Sequence, residues 1–146
     1  MVRIHVSVTP PPERHARMGP MDEEPQPELA ALATDVAGRW VGAWTEGRTT
    51  ALFQSLAADA GIESNLDPDG DFIEILTDFA AALDGVTVAS QTVIEGRVAI
   101  VYDCVARGEK FRLAEFLTVD DAGLVREVRR VYDLSAVERL MPDLIA

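Results

Sequence analysis

The stretch from Lys110 to Asp133 constrains the fold of this chain more than any other. Two runs of alternating apolar and polar residues flank the turn sequence Asp-Asp-Ala-Gly at 120–123. Alternation predicts strands that bury one face, and a short turn between two such runs predicts an antiparallel hairpin. In the first run, the core-facing row is apolar except for one member. The row consists of Phe111, Leu113, Glu115, Leu117 and Val119.

Glu115 is the residue of this row that demands an explanation. An isolated carboxylate is costly to bury, so such a group has either a charged or hydrogen-bonded partner or a chemical role. The sequence therefore singles out Glu115 as the candidate acid, base or ion-pair member of the chain.

The preceding predicted strand supplies one set of neighbours for this carboxylate. A two-residue turn at Gly108-Glu109 predicts a hairpin in which Tyr102 lies opposite Glu115. The same register places Tyr102 in the core-facing row and turns Asp103 outward, because successive side chains of a strand point to opposite faces.

The following strand supplies an arginine. The turn at 120–123 predicts that Val128 lies opposite Glu115, with Arg126 and Arg130 as diagonal neighbours. A slip of one residue would instead place Arg129 directly opposite. Both registers bring a guanidinium close to the carboxylate, and the sequence leaves open which arginine it is.

Helical periodicity covers the chain from Glu28 onward, and β-branched residues dominate its second half. Helices followed by a meander of strands predict an α+β fold, with three N-terminal helices packed on the concave face of a curved antiparallel sheet. The predicted elements are a helix over 28–47, a short helix around 52–56 broken at Gly61, a strand over 62–66, a turn at 67–70, a helix over 72–83, strands over 86–95 and 98–107, the hairpin, and a helical tail over 135–144.

Residues 1–27 differ in composition from this domain, which spans 28–146. Six prolines interrupt them, so we expect an extended arm that contributes little to the core. A chain beginning at Met21 is then predicted to fold with nearly full stability. The alternative is that the alternating segment Val2–Val8 adds an edge strand or crosses to a partner subunit. Met18 and Met21 are also plausible starts.

Composition excludes several classes of function. A net charge of −12 argues against nucleic acid and anionic membranes as partners. The single cysteine, Cys104, favours a reducing cytoplasm and is expected to be a buried apolar residue. Both histidines, His5 and His15, lie in the arm, which argues against a histidine triad or metal site in the domain. We therefore expect no cofactor.

Three segments resemble the nuclear transport factor 2-like superfamily, in particular its SnoaL-like and ketosteroid-isomerase-like members. They are Arg39–Gly47, Leu56–Glu63 and Asp121–Asp133. The resemblance covers roughly residues 28–133. It implies a cone of helices against a strongly bent sheet, a pocket at the open end and, in many members, a homodimer formed through the outer sheet face.

The resemblance also assigns positions to the isomerase residues. The catalytic tyrosine of the ketosteroid isomerases falls on Trp40, their general base on Ser64, and their protonated oxyanion-hole acid on Glu115. Only the last keeps a carboxyl group, which argues against steroid isomerisation by that mechanism. SnoaL-like cyclases use an aspartate and a histidine, and the folded part of this chain has no histidine.

We therefore predict a protein that binds a small hydrophobic metabolite carrying a carbonyl or hydroxyl group in an apolar pocket. As an enzyme it would be a cofactor-independent isomerase, cyclase or dehydratase that transfers protons through Glu115. The predicted catalytic residues are Glu115, Tyr102 and Arg130, and the predicted substrate-binding residues are Trp40, Ser64, Val128 and Tyr132.

The competing hypothesis is that Glu115 and Arg130 form a buried ion pair that only satisfies the interior. The chain would then be a non-catalytic ligand-binding or dimerisation module. In either case, Val101, Ala114, Phe116 and Val131 would give the outer sheet face enough apolar surface to predict a homodimer.

Overall fold

The computed structural model describes residues 27–145, with side chains from Glu28 onward, so the predicted arm lies outside the described residues. Within this range the chain forms four α-helices, a short 3₁₀ helix and a curved five-stranded sheet. The elements are α1 (Pro27–Thr45), α2 (Thr49–Ser55), β1 (Leu56–Ser64), α3 (Phe72–Ala82), β2 (Gly85–Ile94), β3 (Arg97–Ala106), β4 (Glu109–Val119), β5 (Val125–Val131), α4 (Leu134–Leu140) and the 3₁₀ helix (Pro142–Leu144).

The sheet has the strand order β1-β5-β4-β3-β2 and is not closed. Strands β2 to β5 form the predicted antiparallel meander, while β1 joins it by a parallel pairing with β5. The core lies on the inner face, where α1 packs against β2, β3 and β4. The α+β class predicted from the sequence is confirmed.

The region around Leu56 differs from the prediction. The second helix ends at Ser55, and β1 begins at Leu56 rather than at Ile62. Residues 56–60 are rich in alanine, which favours helix. Pairing with β5, which places Leu56 beside Val125, outweighs that local preference because the ladder satisfies the backbone groups of an extended segment.

The turn between β3 and β4 is also displaced from its predicted position. Arg107 and Gly108 have positive φ values of 52° and 81°, as a two-residue turn of the kind that matches strand twist requires. Consequently Tyr102 pairs with Leu113, and Ile100 pairs with Glu115. The predicted opposition of Tyr102 and Glu115 is wrong by two residues, a shift that leaves every side chain on its predicted face.

The β4–β5 register is likewise shifted by two residues. Glu115 pairs directly with Arg130, and Val128 pairs with Leu117 instead. The turn is shaped by the Asp120 side chain, whose Oδ1 accepts hydrogen bonds from the backbone N–H groups of Ala122 and Leu124. An irregularity between Thr118 and Val119 then resets the pairing. Arg130, which was expected to be a diagonal neighbour of Glu115, therefore lies directly opposite it.

Candidate functional site

Glu115 points into the helix-covered interior, as predicted, and its side chain is 0% exposed. Its Oε1 accepts a hydrogen bond from the Tyr102 hydroxyl at 2.6 Å. Its Oε2 accepts one from Arg130 Nη1 at 2.6 Å and one from Trp40 Nε1 at 2.9 Å. Both carboxylate oxygens therefore have partners, one of them a full positive charge.

The arginine is enclosed as completely as the glutamate. Arg130 is 0% exposed, and its Nε donates to the Tyr132 hydroxyl at 2.7 Å. Its guanidinium carbon lies 4.2 Å from the centre of the Trp44 ring and 5.7 Å from that of Phe79, which are cation–π distances. Within residues 27–145, Arg130 Nη2 has no hydrogen-bond acceptor.

Helix α1 covers this pair with two indoles. Trp40 and Trp44 are four residues apart, so they lie on the same face of the helix. Trp44 Nε1 donates to the Tyr102 hydroxyl at 3.1 Å, and the two rings meet edge to face at 5.1 Å. We call the six residues of this network the Glu115 cluster. They are Trp40, Trp44, Tyr102, Glu115, Arg130 and Tyr132.

Burial governs proton affinities in and beside the cluster. It raises the pKa of Tyr102 well above 10.0, and the neighbouring Glu115 raises it further. Burial likewise raises the pKa of Tyr132, and it raises that of the Cys104 thiol to about 12. Near neutral pH both phenols are therefore protonated. The Tyr102 hydroxyl donates to Glu115, and the Tyr132 hydroxyl accepts from Arg130. Cys104 is a neutral, weakly nucleophilic thiol.

Arg130 is subject to opposing influences. Burial acts to lower its pKa, whereas the charge of Glu115 and smaller contributions from Tyr132 and Tyr102 raise the pKa above its ordinary value. The guanidinium thus carries its charge, and the carboxylate opposite is its counterion.

Comparison with solved structures relates this architecture to known proteins. A steroid delta-isomerase from Pseudomonas aeruginosa matches with a TM-score of 0.64 at 15% identity, over 80% of this chain and 90% of that one. An NTF2-like protein of unknown function from Mesorhizobium loti matches with a TM-score of 0.58 at 18% identity, over 77% and 95%. The chain has the nuclear transport factor 2-like fold. No protein-family model and no curated protein matches the sequence.

A third similar structure shows what this likeness means. A de novo designed protein with a curved β-sheet matches with a TM-score of 0.63 at 14% identity, over 78% of this chain and 94% of that one. A designed curved sheet and a steroid isomerase thus resemble this chain about equally. The likeness therefore shows a shared fold alone, and any activity has to be argued from side chains.

The predicted substrate-binding residues occupy two places in this fold. Trp40, Val128 and Tyr132 lie in the enclosed core. Ser64 lies apart from them in a cleft of about 290 Å³ between the end of β1 and the start of α3. We call this the Ser64 cleft. It is lined by Ile62, Ser64, Leu66, Asp67, Pro68, Gly70, Phe72 and Ile75.

The other predicted neighbours lie outside the cluster. Arg126 forms ion pairs with Asp59 and Asp120 on the surface. Arg129 pairs with Phe116 and lies 5.9 Å from its ring. Only Arg130 of the three candidate arginines contacts Glu115, which resolves the alternatives that the sequence left open.

Two residues that were not predicted as site members support the cluster. Trp44 lies in the core, and its indole bridges Tyr102 and the Arg130 guanidinium. The side chain of Asn65 exchanges two hydrogen bonds with the backbone of Tyr132, at 2.8 and 3.0 Å, and so extends the β1–β5 pairing by one step. The four-residue spacing of the tryptophans was the available signal for Trp44, while Asn65 gave none.

Metal binding and membrane crossing would depend on side-chain groups and helices within residues 27–145. No group of three or more His, Cys, Asp or Glu side chains is arranged there to hold a metal ion. In the same range, none of the helices combines the length and the apolar character needed to cross a membrane.

Proposed function

We propose that this chain is a non-catalytic protein that binds a small apolar molecule. In this proposal the Glu115 cluster is a rigid, structural part of the core and not a reaction centre. One observation carries this proposal. Glu115, Tyr102 and Arg130 are each 0% exposed, and both oxygens of Glu115 are hydrogen-bonded. A general acid or base has to reach a substrate atom directly or through one water, and an enclosed carboxylate with bonded oxygens is poorly placed to do so.

The proposed binding site is the Ser64 cleft. Its volume of about 290 Å³ lies near the lower end of the range for small-molecule sites, which suits a compact ligand. Ile62, Phe72 and Ile75 offer apolar surface, and Ser64 offers a hydroxyl. That hydroxyl contacts the backbone of Leu66. We propose a ligand with an apolar ring or chain and one carbonyl or hydroxyl group.

Chemical-shift mapping of the full chain tests this site, with a panel of small cyclic ketones and alcohols as probes. We expect shifts centred on Ile62, Ser64 and Phe72. Ile62→Trp should fill the cleft and weaken probe binding about tenfold, a loss of about 1.4 kcal/mol. Ile94→Trp is the matched control, because Ile94 is similarly exposed, at 46% against 44%, but lies on β2. Shifts centred on Trp40 and Glu115 would contradict the proposal.

A second candidate function keeps Glu115 as an acid or base. The observation that favours it is Arg130 Nη2, a buried donor without an acceptor among residues 27–145. An unpaired buried donor is unfavourable, and a ligand oxygen bound there would lie near the Glu115 carboxylate. The chain would then be a cofactor-independent isomerase, cyclase or dehydratase that moves a proton next to a carbonyl group.

Proton exchange distinguishes the two candidates without knowledge of the substrate. The same ketones are incubated with the protein in deuterated buffer, and loss of the protons next to the carbonyl is followed by NMR. The non-catalytic proposal expects exchange at the buffer rate. Exchange above that rate in the wild type, lost in Glu115→Gln and retained in Arg112→Gln on the surface, would establish the second candidate instead.

We further propose that the protein assembles as a homodimer through the outer face of the sheet. Val101, Ala114 and Val131 lie side by side across β3, β4 and β5, and Phe116 next to them is 43% exposed. Two ion pairs lie on this face, Arg112–Asp103 at 2.9 Å and Arg129–Glu63 at 3.9 Å. A face that is apolar at its centre and locally neutral is suited to a second copy of an acidic chain.

A further inference from the structure

Strand β2 forms one edge of the sheet and lacks the usual protection of an edge. It pairs with β3 on one side, and no described strand pairs with its other side. Its ten residues, Gly85–Ile94, contain neither a charged side chain nor a proline. Natural edge strands are normally short, charged, interrupted by proline or covered, because free backbone groups recruit further strands.

The opposite edge shows the contrast. Strand β1 carries Asp59 and Glu63, and its pairing with β5 is irregular between Leu56 and Gly61. Charge and irregularity are two of the devices that discourage strand addition. The bulge between Val88 and Ser90 is the one comparable feature of β2, and nine of its residues still pair regularly with β3. Of the two edges, the β2 edge is therefore the one whose unpaired backbone groups lack protection against strand addition.

The N-terminal end of the described chain lies close to the turn in which β2 ends. Helix α1 begins at Pro27, and a β-carbon added at Gly96, in the turn that ends β2, would lie 3.4 Å from the Leu29 side chain. The chain that precedes Pro27 therefore enters the domain next to the end of β2. The arm is therefore joined to the domain at the end of the sheet where β2 ends.

We propose that the segment Val2–Val8 of the same chain adds to β2 as a sixth strand. Its alternation matches the two faces of the sheet. Val2, Ile4, Val6 and Val8 would extend the inner row of β2, where Val86 and Val88 are only half-buried. Arg3, His5 and Ser7 would extend the polar outer row to which Thr87 belongs.

The connecting chain is long enough for this pairing. Residues 9–26 span up to about 60 Å when extended, at about 3.3 Å per residue. The ten residues of β2 extend about 33 Å, so the connection reaches either end of the strand. This inference does not depend on the proposed function. It selects the edge-strand alternative for the arm over the expectation that the arm contributes little.

Hydrogen exchange measured by mass spectrometry on the full chain tests the proposal. Peptides covering 2–8 and 85–94 should both be protected. Ile4→Pro removes a backbone donor from the segment, and Val6→Lys removes an apolar side chain. Each should speed exchange in 85–94 about tenfold while β5 stays unchanged, and lower Tm by about 4 °C or more. Ala16→Pro, in the connecting chain, is the control and should change neither.

Three results would contradict the proposed pairing of Val2–Val8 with β2. Exchange in 2–8 at the rate of an unstructured peptide in the wild type would overturn the pairing. So would an Ile4→Pro variant that behaves like Ala16→Pro. Protection of 85–94 that disappears on dilution would overturn pairing within one chain and indicate that the segment crosses to a second copy.

Discussion

Glu115 and Arg130 place two opposite charges inside the protein at 2.6 Å, with neither side chain exposed. Desolvating both ions is expensive, and their attraction offsets that cost only while the pair is intact and well hydrogen-bonded. The surrounding donors from Trp40 and Tyr102 complete the hydrogen bonding of the carboxylate. The intact pair therefore contributes little net stability, but the fold is strongly destabilised if either partner is lost.

Removing one charge should be far more harmful than removing both. We expect Glu115→Leu to lower the free energy of unfolding by about 3–5 kcal/mol, because Arg130 is left buried without a counterion. Glu115→Leu/Arg130→Met should recover much of this loss. Part of the loss should remain in the double variant, because Trp40 Nε1 and the Tyr102 hydroxyl no longer have the carboxylate as acceptor. Urea unfolding of the three chains measures these differences.

The exposed pair Arg112–Asp103 provides the matched control. Its distance of 2.9 Å is similar, but its side chains are 70% and 39% exposed. We expect Arg112→Ala to cost no more than about 1 kcal/mol, because solvent screens the attraction. A double variant of the buried pair that is less stable than Glu115→Leu alone would show that attraction, and not the orphaned charge, dominates the interior.

The buried Cys104 thiol and Tyr102 hydroxyl should make the stability of the fold sensitive to alkaline pH. Burial raises the pKa of the Cys104 thiol from 9.0 to about 12, so the folded state retains a proton that the unfolded chain releases above pH 9. This contribution to stability is complete below pH 9 and is lost as pH rises towards about 12. Tyr102, whose pKa is raised above 10.0 by burial and by Glu115, adds to the loss above pH 10.

We therefore expect the free energy of unfolding to fall between pH 9 and 11, and to fall less steeply in Cys104→Ala. The variant loses some packing at every pH, so the slope and not the absolute value carries the test. Urea unfolding at several pH values measures both slopes. Parallel curves for the wild type and Cys104→Ala would refute the assignment to the thiol.

Helix α3 depends on a single cap at its start. Asp71 has extended backbone angles, and its carboxylate accepts a hydrogen bond from the Glu74 backbone N–H at 3.0 Å. We expect Asp71→Ala to cost about 1 kcal/mol, since the N–H loses its partner. Asp71→Asn should cost much less, because the amide oxygen accepts the same bond. Equal losses by thermal unfolding would show that the charge matters and the cap does not.

The turns explain why elements could be predicted but their pairing could not. A prolyl or glycyl turn signal locates a hairpin to within about two residues, while the register depends on which residues adopt positive φ. Here Arg107 takes a left-handed conformation although it is not glycine. In the next hairpin, the Asp120 side chain and an irregularity at Thr118 decide the pairing.

The proposed assembly through the outer face of the sheet can be tested with single substitutions. We expect the wild type to sediment as a dimer and Phe116→Arg to sediment as a monomer, because a buried charge at the centre of the interface would be unpaired. Phe53→Arg is the matched control, since Phe53 is 58% exposed on α2 and away from this face. Analytical ultracentrifugation distinguishes the outcomes. A monomeric wild type, or a monomeric Phe53→Arg variant, would contradict the proposed interface.

Alternation in the sequence determined which side chains share a face. Because the side-chain period of a strand is two, the two-residue errors in register left Glu115 inside and Asp103 outside, as expected. Helical periodicity located α1 and α3 for the same reason, since burial repeats with the geometry of the helix. These features follow from local geometry and from the separation of apolar and polar residues.

Contacts between distant segments were decided only by the tertiary structure. Trp40 reaches Glu115 across 75 residues of sequence, and β1 pairs with β5 in a segment whose local preference is helical. The choice of Arg130 over Arg126 and Arg129 depended on a register set by turn conformation. Each outcome reflects a small difference in free energy between competing pairings. That difference depends on all the packing and hydrogen-bonding contacts of the folded molecule together, so no local segment determines it.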